Sequence, residues 1–173
     1  MMAGYKLRLA RFADADRIAL MSRELIEVGL SGWSWDPQRV GRAIRARNTM
    51  VVVVEVGSHL IGFGILQFGD TRAHLSLLAV DAAYQRCGIA RQMLNWLEEA
   101  ALVAGIETIN LELRAINGAA QNFYRALGFK EMGYVPGYYH GVETALRMAR
   151  DIRRCIPEPI TEPFRLFFPH AGK

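Results

Sequence analysis

Cysteine is scarce in this chain. Only Cys87 and Cys155 occur among 173 residues. Without metal-like spacing they exclude a zinc module and a disulfide scaffold, so two free thiols and no metal are expected. Long apolar runs are missing as well. No window approaches the ~20 apolar residues that a bilayer crossing takes, and residues 1–11 are charged and lack the apolar stretch of a secretory leader. The expectation is a cytoplasmic protein with no membrane partner. Internal repeats are absent, and so are two common phosphate loops, Gly-x-Gly-x-x-Gly and Gly-x-x-x-x-Gly-Lys-Ser/Thr.

What is present suits one domain with a real core, since hydrophobic residues make up 51% of the chain. That domain is expected over residues 1–150. In residues 151–173 the prolines Pro157, Pro159, Pro163 and Pro169 rule out a regular helix or central strand. This tail is either irregular or laid across the surface through Phe164, Leu166, Phe167 and Phe168. The net charge is +4 and the pI near 9.3, with Arg39, Arg42, Arg45 and Arg47 as the densest basic run. Near-helical spacing makes that run a solvated helix face, and basic surface also attracts small polyanions, so no nucleic acid is expected. The oligomeric state is left open, a homodimer included.

Periodicity orders the elements. Residues 6–11 alternate as a strand, and Asp14 or Asp16 opens a helix reaching about residue 28, where Gly29 supplies the stop. A glycine- and serine-rich loop carrying Trp33 and Trp35 follows, and Asp36-Pro37 starts a second helix through about residue 47. Residues 49–56, 59–68 and 72–80 read as three antiparallel strands, the first with a valine run typical of burial on both faces. A helix over 88–104 places Ile89, Met93, Leu97 and Ala101 on one face and Arg91, Asn95, Glu98 and Glu99 on the other. Then come a strand (107–114), a helix (118–127) and two strands (129–134 and 143–149), with Tyr138-Tyr139 in the last loop. Strands first and a strand-helix-strand crossing afterwards describe a mixed α/β sheet.

The most informative segment is Gln85-Arg86-Cys87-Gly88-Ile89-Ala90, which lies between an apolar strand and an amphipathic helix. A strand that turns through glycine into a helix leaves the first helical amides without partners. Those amides and the helix dipole favour a phosphate or pyrophosphate. Read from Leu78-Ala79-Val80-Asp81 onward, the pattern Gln/Arg-x-x-Gly-x-Gly/Ala resembles the coenzyme A pyrophosphate loop of the GNAT family of N-acetyltransferases. A second block supports the resemblance. Asn110-Leu111-Glu112-Leu113-Arg114-Ala115-Ile116-Asn117, then Ala119-Ala120, Phe123-Tyr124 and Leu127-Gly128-Phe129, is similar to the family's closing strand, helix and strand. Its Leu-Glu-Leu-Arg-Ala-x-Asn stretch is similar to the branch that acetylates the N-terminal alanine of a ribosomal protein.

The resemblance implies the acyl-CoA N-acyltransferase fold, a mostly antiparallel central sheet with helices on both faces. It also implies acetyl-CoA as cofactor and direct transfer to a primary amine in a ternary complex. By analogy Leu78 and Val80, around Ala79, offer backbone groups to the pantetheine. Arg86, Cys87, Gly88, Ile89, Ala90 and Arg91 cradle the pyrophosphate, with Ala90 in place of the second glycine, and Asn117 contacts the coenzyme. Cys87 is either a plain loop residue or a thiol activated by the helix N-terminus.

Three residues are candidates for the proton transfers. In the strand of period two, Glu112 shares its polar face with Asn110 and Arg114, opposite Leu111 and Leu113. Spacing alone leaves Glu112 either a general base at an open cleft or the ion-pair partner of Arg114 or Arg125. The alanine-acetylating branch carries its base at the position of Glu112, whereas histone-type members carry theirs in the register of His74. Free imidazole, with a pKa of ~6.5, suits an ammonium proton near neutrality. Tyr124 matches the family tyrosine that protonates the departing sulfur, and it also suits a core position beside Phe123 and Phe129.

For the acceptor, Tyr138 and Tyr139 resemble the paired tyrosines of the alanine branch, which suggests a peptide or protein α-amine. Trp33 and Trp35 depart from the short bacterial members and stand as further substrate-contacting candidates. Two alternatives stay open: a small-amine acetyltransferase acting on polyamine- or aminoglycoside-like acceptors, and a non-catalytic acetyl-CoA-binding module.

Overall fold

A computed structural model describes residues 4–153. Cys155 and the proline-rich tail lie outside the described residues. The order of elements is β1 (Lys6–Leu9), α1 (Ala15–Leu25), α2 (Pro37–Arg45), β2 (Thr49–Val56), β3 (His59–Phe68), β4 (Arg72–Val80), α3 (Ile89–Val103), β5 (Thr108–Arg114), α4 (Gly118–Ala126), β6 (Lys130–Tyr139) and β7 (Glu143–Asp151). The strands make one seven-stranded sheet in the order β1-β2-β3-β4-β5-β7-β6. Every neighbouring pair is antiparallel except β4 with β5. Among the described residues no helix is long and apolar enough to cross a membrane.

The valine run shows how the sheet acquires two cores. Alternation sends Val51 and Val53 to one face, against Ile18 and Met21 of α1 and Val40 of α2. Val52 and Val54 go to the other, against Met93, Leu94 and Leu97 of α3. Helices therefore cover both faces, as the resemblance implied. Close approach of α3 depends on β3: a Cβ built on Gly64 would stand 3.1 Å from Leu78 Cδ1 and 3.2 Å from Leu97 Cδ1. Phe63 between two such glycines is fully buried, a burial that contributes ~2–3 kcal/mol.

The functional geometry begins with an irregularity in β4. Ile65 pairs with Leu77 but Leu66 pairs with Leu75, so Ser76 is an extra residue, a bulge. Leu75 then packs on the α3 side while Leu77 packs on the α1 side, which a regular period of two would forbid. The parallel pairing of β4 with β5 stops just before the bulge. It joins Arg72 to Thr108, Ala73 to Ile109 and His74 to Asn110, and goes no further. Beyond His74 the two strands part, and a gap opens in the middle of the sheet.

Several expectations need correction. The first helix ends at Leu25, because the Ser22 carbonyl accepts from the amides of both Ile26 and Glu27 and closes the last turn. Asp14 caps through the Arg11 amide, at 2.7 Å, and pairs with Arg8, so it makes no side-chain cap to α1. Asp36 does cap α2, accepting from the Arg39 amide at 2.7 Å. Glu98 does not face solvent. It is buried and meets Arg150 of β7 at 2.7 Å. Tyr138 and Tyr139 are not in a loop, because β6 continues to Tyr139 past Pro136. As the edge strand, β6 tolerates a proline without a ladder N–H. The arginine run is only partly a free face: Arg39 stacks over Trp35 and Arg45 over Phe12. Past β7, Ile152 is buried and its amide donates to the Glu107 carbonyl.

Candidate active site

On the cofactor side the site is made of backbone. Gly88 takes φ +80° immediately before α3, and Arg86 takes φ +63°. This pair of left-handed turns swings the chain from the sheet into the helix. Among the described residues, no backbone acceptor meets the amides of residues 86–91; the first bonded amide is Gln92, to the Gly88 carbonyl at 3.1 Å. A Cβ on Gly88 would meet nothing within 4 Å, so the space in front of these donors is open. Unpartnered amides at a helix N-terminus, with Arg86 and Arg91 beside them, fit a pyrophosphate. Cys87 is exposed, with Sγ 3.4 Å from the Gln85 carbonyl. Ile89 is buried under α3, and Ala90 packs beside it.

The gap side of β4 continues this surface. Leu78 and Ala79 are half-buried and Val80 is buried. The Val80 carbonyl accepts from Gln85 Nε2 at 2.9 Å, which holds the loop to the strand. Asn117 caps α4, its Oδ1 accepting from the Ala120 amide at 3.1 Å, and its side-chain NH2 stays available. Tyr124 is only 8% exposed and stands edge-on between Phe123 and Phe129, with centroids at 5.1 and 5.3 Å. Burial pushes its phenol pKa up, so the group stays protonated, and the nearby Tyr139 adds to the effect.

On the opposite face the site is made of ionisable side chains. His74 and Glu112 meet: Nε2 lies 2.6 Å from Glu112 Oε2. His74 Nδ1 lies 3.2 Å from the Ser76 hydroxyl. An ionised carboxylate only accepts, so Nε2–H donates to it, and in the neutral ring Nδ1 is left to accept from Ser76. The second carboxylate oxygen accepts from Arg147 Nε at 2.8 Å, because Arg147 is the register partner of Glu112 on β7. Tyr138 donates its hydroxyl to the same carboxylate at 3.4 Å. The hydrogen bond from His74 and then that from Arg147 pull the Glu112 carboxyl down to about 2, against the opposing effect of burial. The ion pairs foreseen for Glu112 do not form. Arg114 pairs with Glu143 through Nε at 2.6 Å, and Arg125 pairs with Glu131.

The acceptor candidates fall around this cluster. Tyr138 and Tyr139 meet edge-on at 5.0 Å. Tyr139 is close enough to Tyr124 to act on it, and close enough to Glu112 for that charge to act on Tyr139, so the two faces converge near its ring. Trp35 packs into the α1 and α2 core and is 7% exposed, supporting the loop from beneath. Trp33 is half-buried and lines a groove of about 700 Å³ with Arg23, Glu27 and Leu30; its Nε1 finds no partner among the described residues.

Some contacts had no signal in the sequence, that of Arg147 with Glu112 among them. Glu27 is buried and accepts from the amides of Ser34 and Trp35 at 2.9 and 3.0 Å, which fixes the tryptophan loop. Arg114 Nη1 donates to the Val28 carbonyl at 2.7 Å. Ser76 owes its place to the bulge.

Comparison with known proteins gives a consistent picture. The model of the acetyltransferase (GNAT) family matches residues 18–129. The N-alpha-acetyltransferase RimI of Mycobacterium tuberculosis is 32% identical over 131 residues, 73% of this chain and 79% of that protein. The ribosomal protein bS18-alanine N-acetyltransferase of Escherichia coli K12 is 38% identical over 96 residues, 54% of this chain and 65% of that protein. The crystal structure of the ribosomal-protein-S18-alanine N-acetyltransferase from Escherichia coli superposes with a TM-score of 0.73 at 24% identity, covering 95% of this chain and 100% of that one.

Proposed function

This chain belongs to the GNAT family of acetyltransferases, and from that premise we propose that it acetylates the α-amine of a peptide or protein N-terminus. Acetyl transfer from acetyl-CoA is the family's chemistry, and the relatives named for N-terminal acetylation support the finer reading. One observation carries the mechanism: His74 and Glu112, rival bases by sequence, are a single hydrogen-bonded pair at 2.6 Å.

The division of labour follows from exposure and charge. The His74 side chain is 40% exposed and that of Glu112 only 9%, so an incoming amine reaches the imidazole first. A carboxylate held down to about 2 is a poor base by itself, but its hydrogen bond to Nε2 orients the imidazole beside it. His74 Nδ1 takes the ammonium proton, directly or through the Ser76 hydroxyl or a water, while Glu112 fixes the ring's tautomer and orientation. Arg147 holds Glu112 in place from β7.

Across the gap, acetyl-CoA when bound supplies a thioester whose carbonyl is the electrophile. Backbone groups of Leu78 and Val80, the amides of residues 86–91, the charges of Arg86 and Arg91, and Asn117 would hold it. Tyr124, kept protonated by burial, is the donor for the sulfur. The Trp33 loop, fixed by Glu27, and the Tyr138-Tyr139 end of β6 orient the acceptor between the faces. This work takes place in the cytoplasm in our reading.

The test is release of coenzyme A thiol from acetyl-CoA with peptides bearing free N-termini, N-blocked lysine peptides and polyamines. Turnover confined to free N-termini is expected. Turnover only with small amines would overturn the peptide acceptor, and cofactor binding without turnover on any acceptor would favour a binding module.

A further inference from the structure

A second cationic groove lies beside the cofactor loop. It has a volume of about 760 Å³ and runs between α3 and the turn from α4 into β6, lined by Arg91, Asn95, Leu127, Gly128, Lys130 and Asp151. Its charges are not all matched. Arg150 at its edge meets Glu98 at 2.7 Å, and Asp151 meets Arg153. Arg91 and Lys130 enter no ion pair among the described residues. The groove therefore carries two uncompensated cations and awaits an anion.

Position narrows which anion. Arg91 belongs both to this groove and to the cradle whose amides face open space. Asn95 stands one turn further along α3, ~6 Å by helical rise. Sharing Arg91, the groove adjoins a pyrophosphate held at residues 86–91. Coenzyme A carries a further anion, the 3′-phosphate of its ribose, and a phosphate monoester suits a guanidinium and an ammonium that line one groove from two elements.

Resting on the cofactor reading above, we propose that this groove binds the 3′-phosphate of coenzyme A, with Lys130 as its selective contact and Arg91 shared with the pyrophosphate. The chain then distinguishes coenzyme A from dephospho-coenzyme A, which lacks only that group.

Calorimetric titration of the full chain with each ligand tests this, using wild type and Lys130→Ala. Lys130 is exposed, so the substitution leaves the core intact. Wild type should bind coenzyme A about tenfold more tightly than dephospho-coenzyme A, the order expected for a charge-assisted contact. Lys130→Ala should lose most of that preference, weakening coenzyme A while leaving dephospho-coenzyme A unchanged. Equal wild-type affinities, or equal weakening of both ligands in the variant, would overturn the groove and leave the cofactor reading standing. Binding of neither ligand would overturn both.

Discussion

The two faces of the sheet solve different problems with different materials. On the α3 face, the proposed cofactor recognition rests on backbone: free amides at residues 86–91, a left-handed Gly88 and a strand edge exposed by the gap. On the α1 face the proposed chemistry rests on ionisable side chains drawn from three strands, His74 on β4, Glu112 on β5 and Arg147 on β7. A backbone cradle reads any pyrophosphate and tolerates changes of side chain. A side-chain cluster fixes proton positions and fails when one member changes. Substitutions in the backbone cradle should therefore act on cofactor affinity, and those at the proposed acid-base groups on turnover.

The largest effects belong to the acid-base groups. His74→Ala and Glu112→Gln should each lower kcat/KM by ~10²–10⁴, the range for losing a positioned acid or base, with acetyl-CoA affinity held within twofold by about the same reasoning. Tyr124→Phe should lower kcat toward the bottom of that range, read by steady-state kinetics at saturating acetyl-CoA. An equal loss of cofactor affinity would erase the contrast between the faces.

Gly88→Ala should act the other way. Its Cβ meets nothing, so the cost is that of a left-handed L-residue, ~1–2 kcal/mol. Acetyl-CoA binding should weaken about tenfold by the affinity scale, with kcat for a saturated enzyme nearly unchanged. Next comes Glu27→Ala, which strands the Ser34 and Trp35 amides and should cost ~1–3 kcal/mol. Thermal melts should fall, and the KM for peptide should rise while that for acetyl-CoA does not.

Acid sensitivity is the smallest effect. Glu112 falls from an ordinary 4.5 to about 2 on folding, so its stabilising contribution is present above pH 4.5 and is lost as pH drops toward about 2. Glu112→Gln should flatten this part of the stability-against-pH curve, as measured by denaturant titration. A curve unchanged in shape would mean that Glu112 is not held ionised by its partners.

The same contrast explains what was legible in the sequence. The cradle was readable because a glycine between an apolar strand and an amphipathic helix is local information. The order of elements along the chain follows from periodicity and turn residues, whereas the place of β7 between β5 and β6 does not. The acceptor side was read as separate residues, with Glu112 and His74 as competitors, because they lie 38 positions apart and meet through parallel register and a bulge at Ser76. Neither feature leaves a local trace. Pattern alone sends Glu98 to solvent for a like reason: its helix face is polar, and only the arrival of Arg150 from β7 makes burial tolerable. The loop expected around Tyr138 and Tyr139 is strand instead, because an edge strand accommodates Pro136.

The central claim is that His74 and Glu112 work as one unit, and a double-mutant cycle on kcat/KM tests it most directly. His74→Ala, Glu112→Gln and the double variant would be assayed with a free N-terminal peptide at saturating acetyl-CoA. The pair predicts that the double variant is no slower than the slower single variant. Multiplicative losses would contradict it and return the two residues to independent roles.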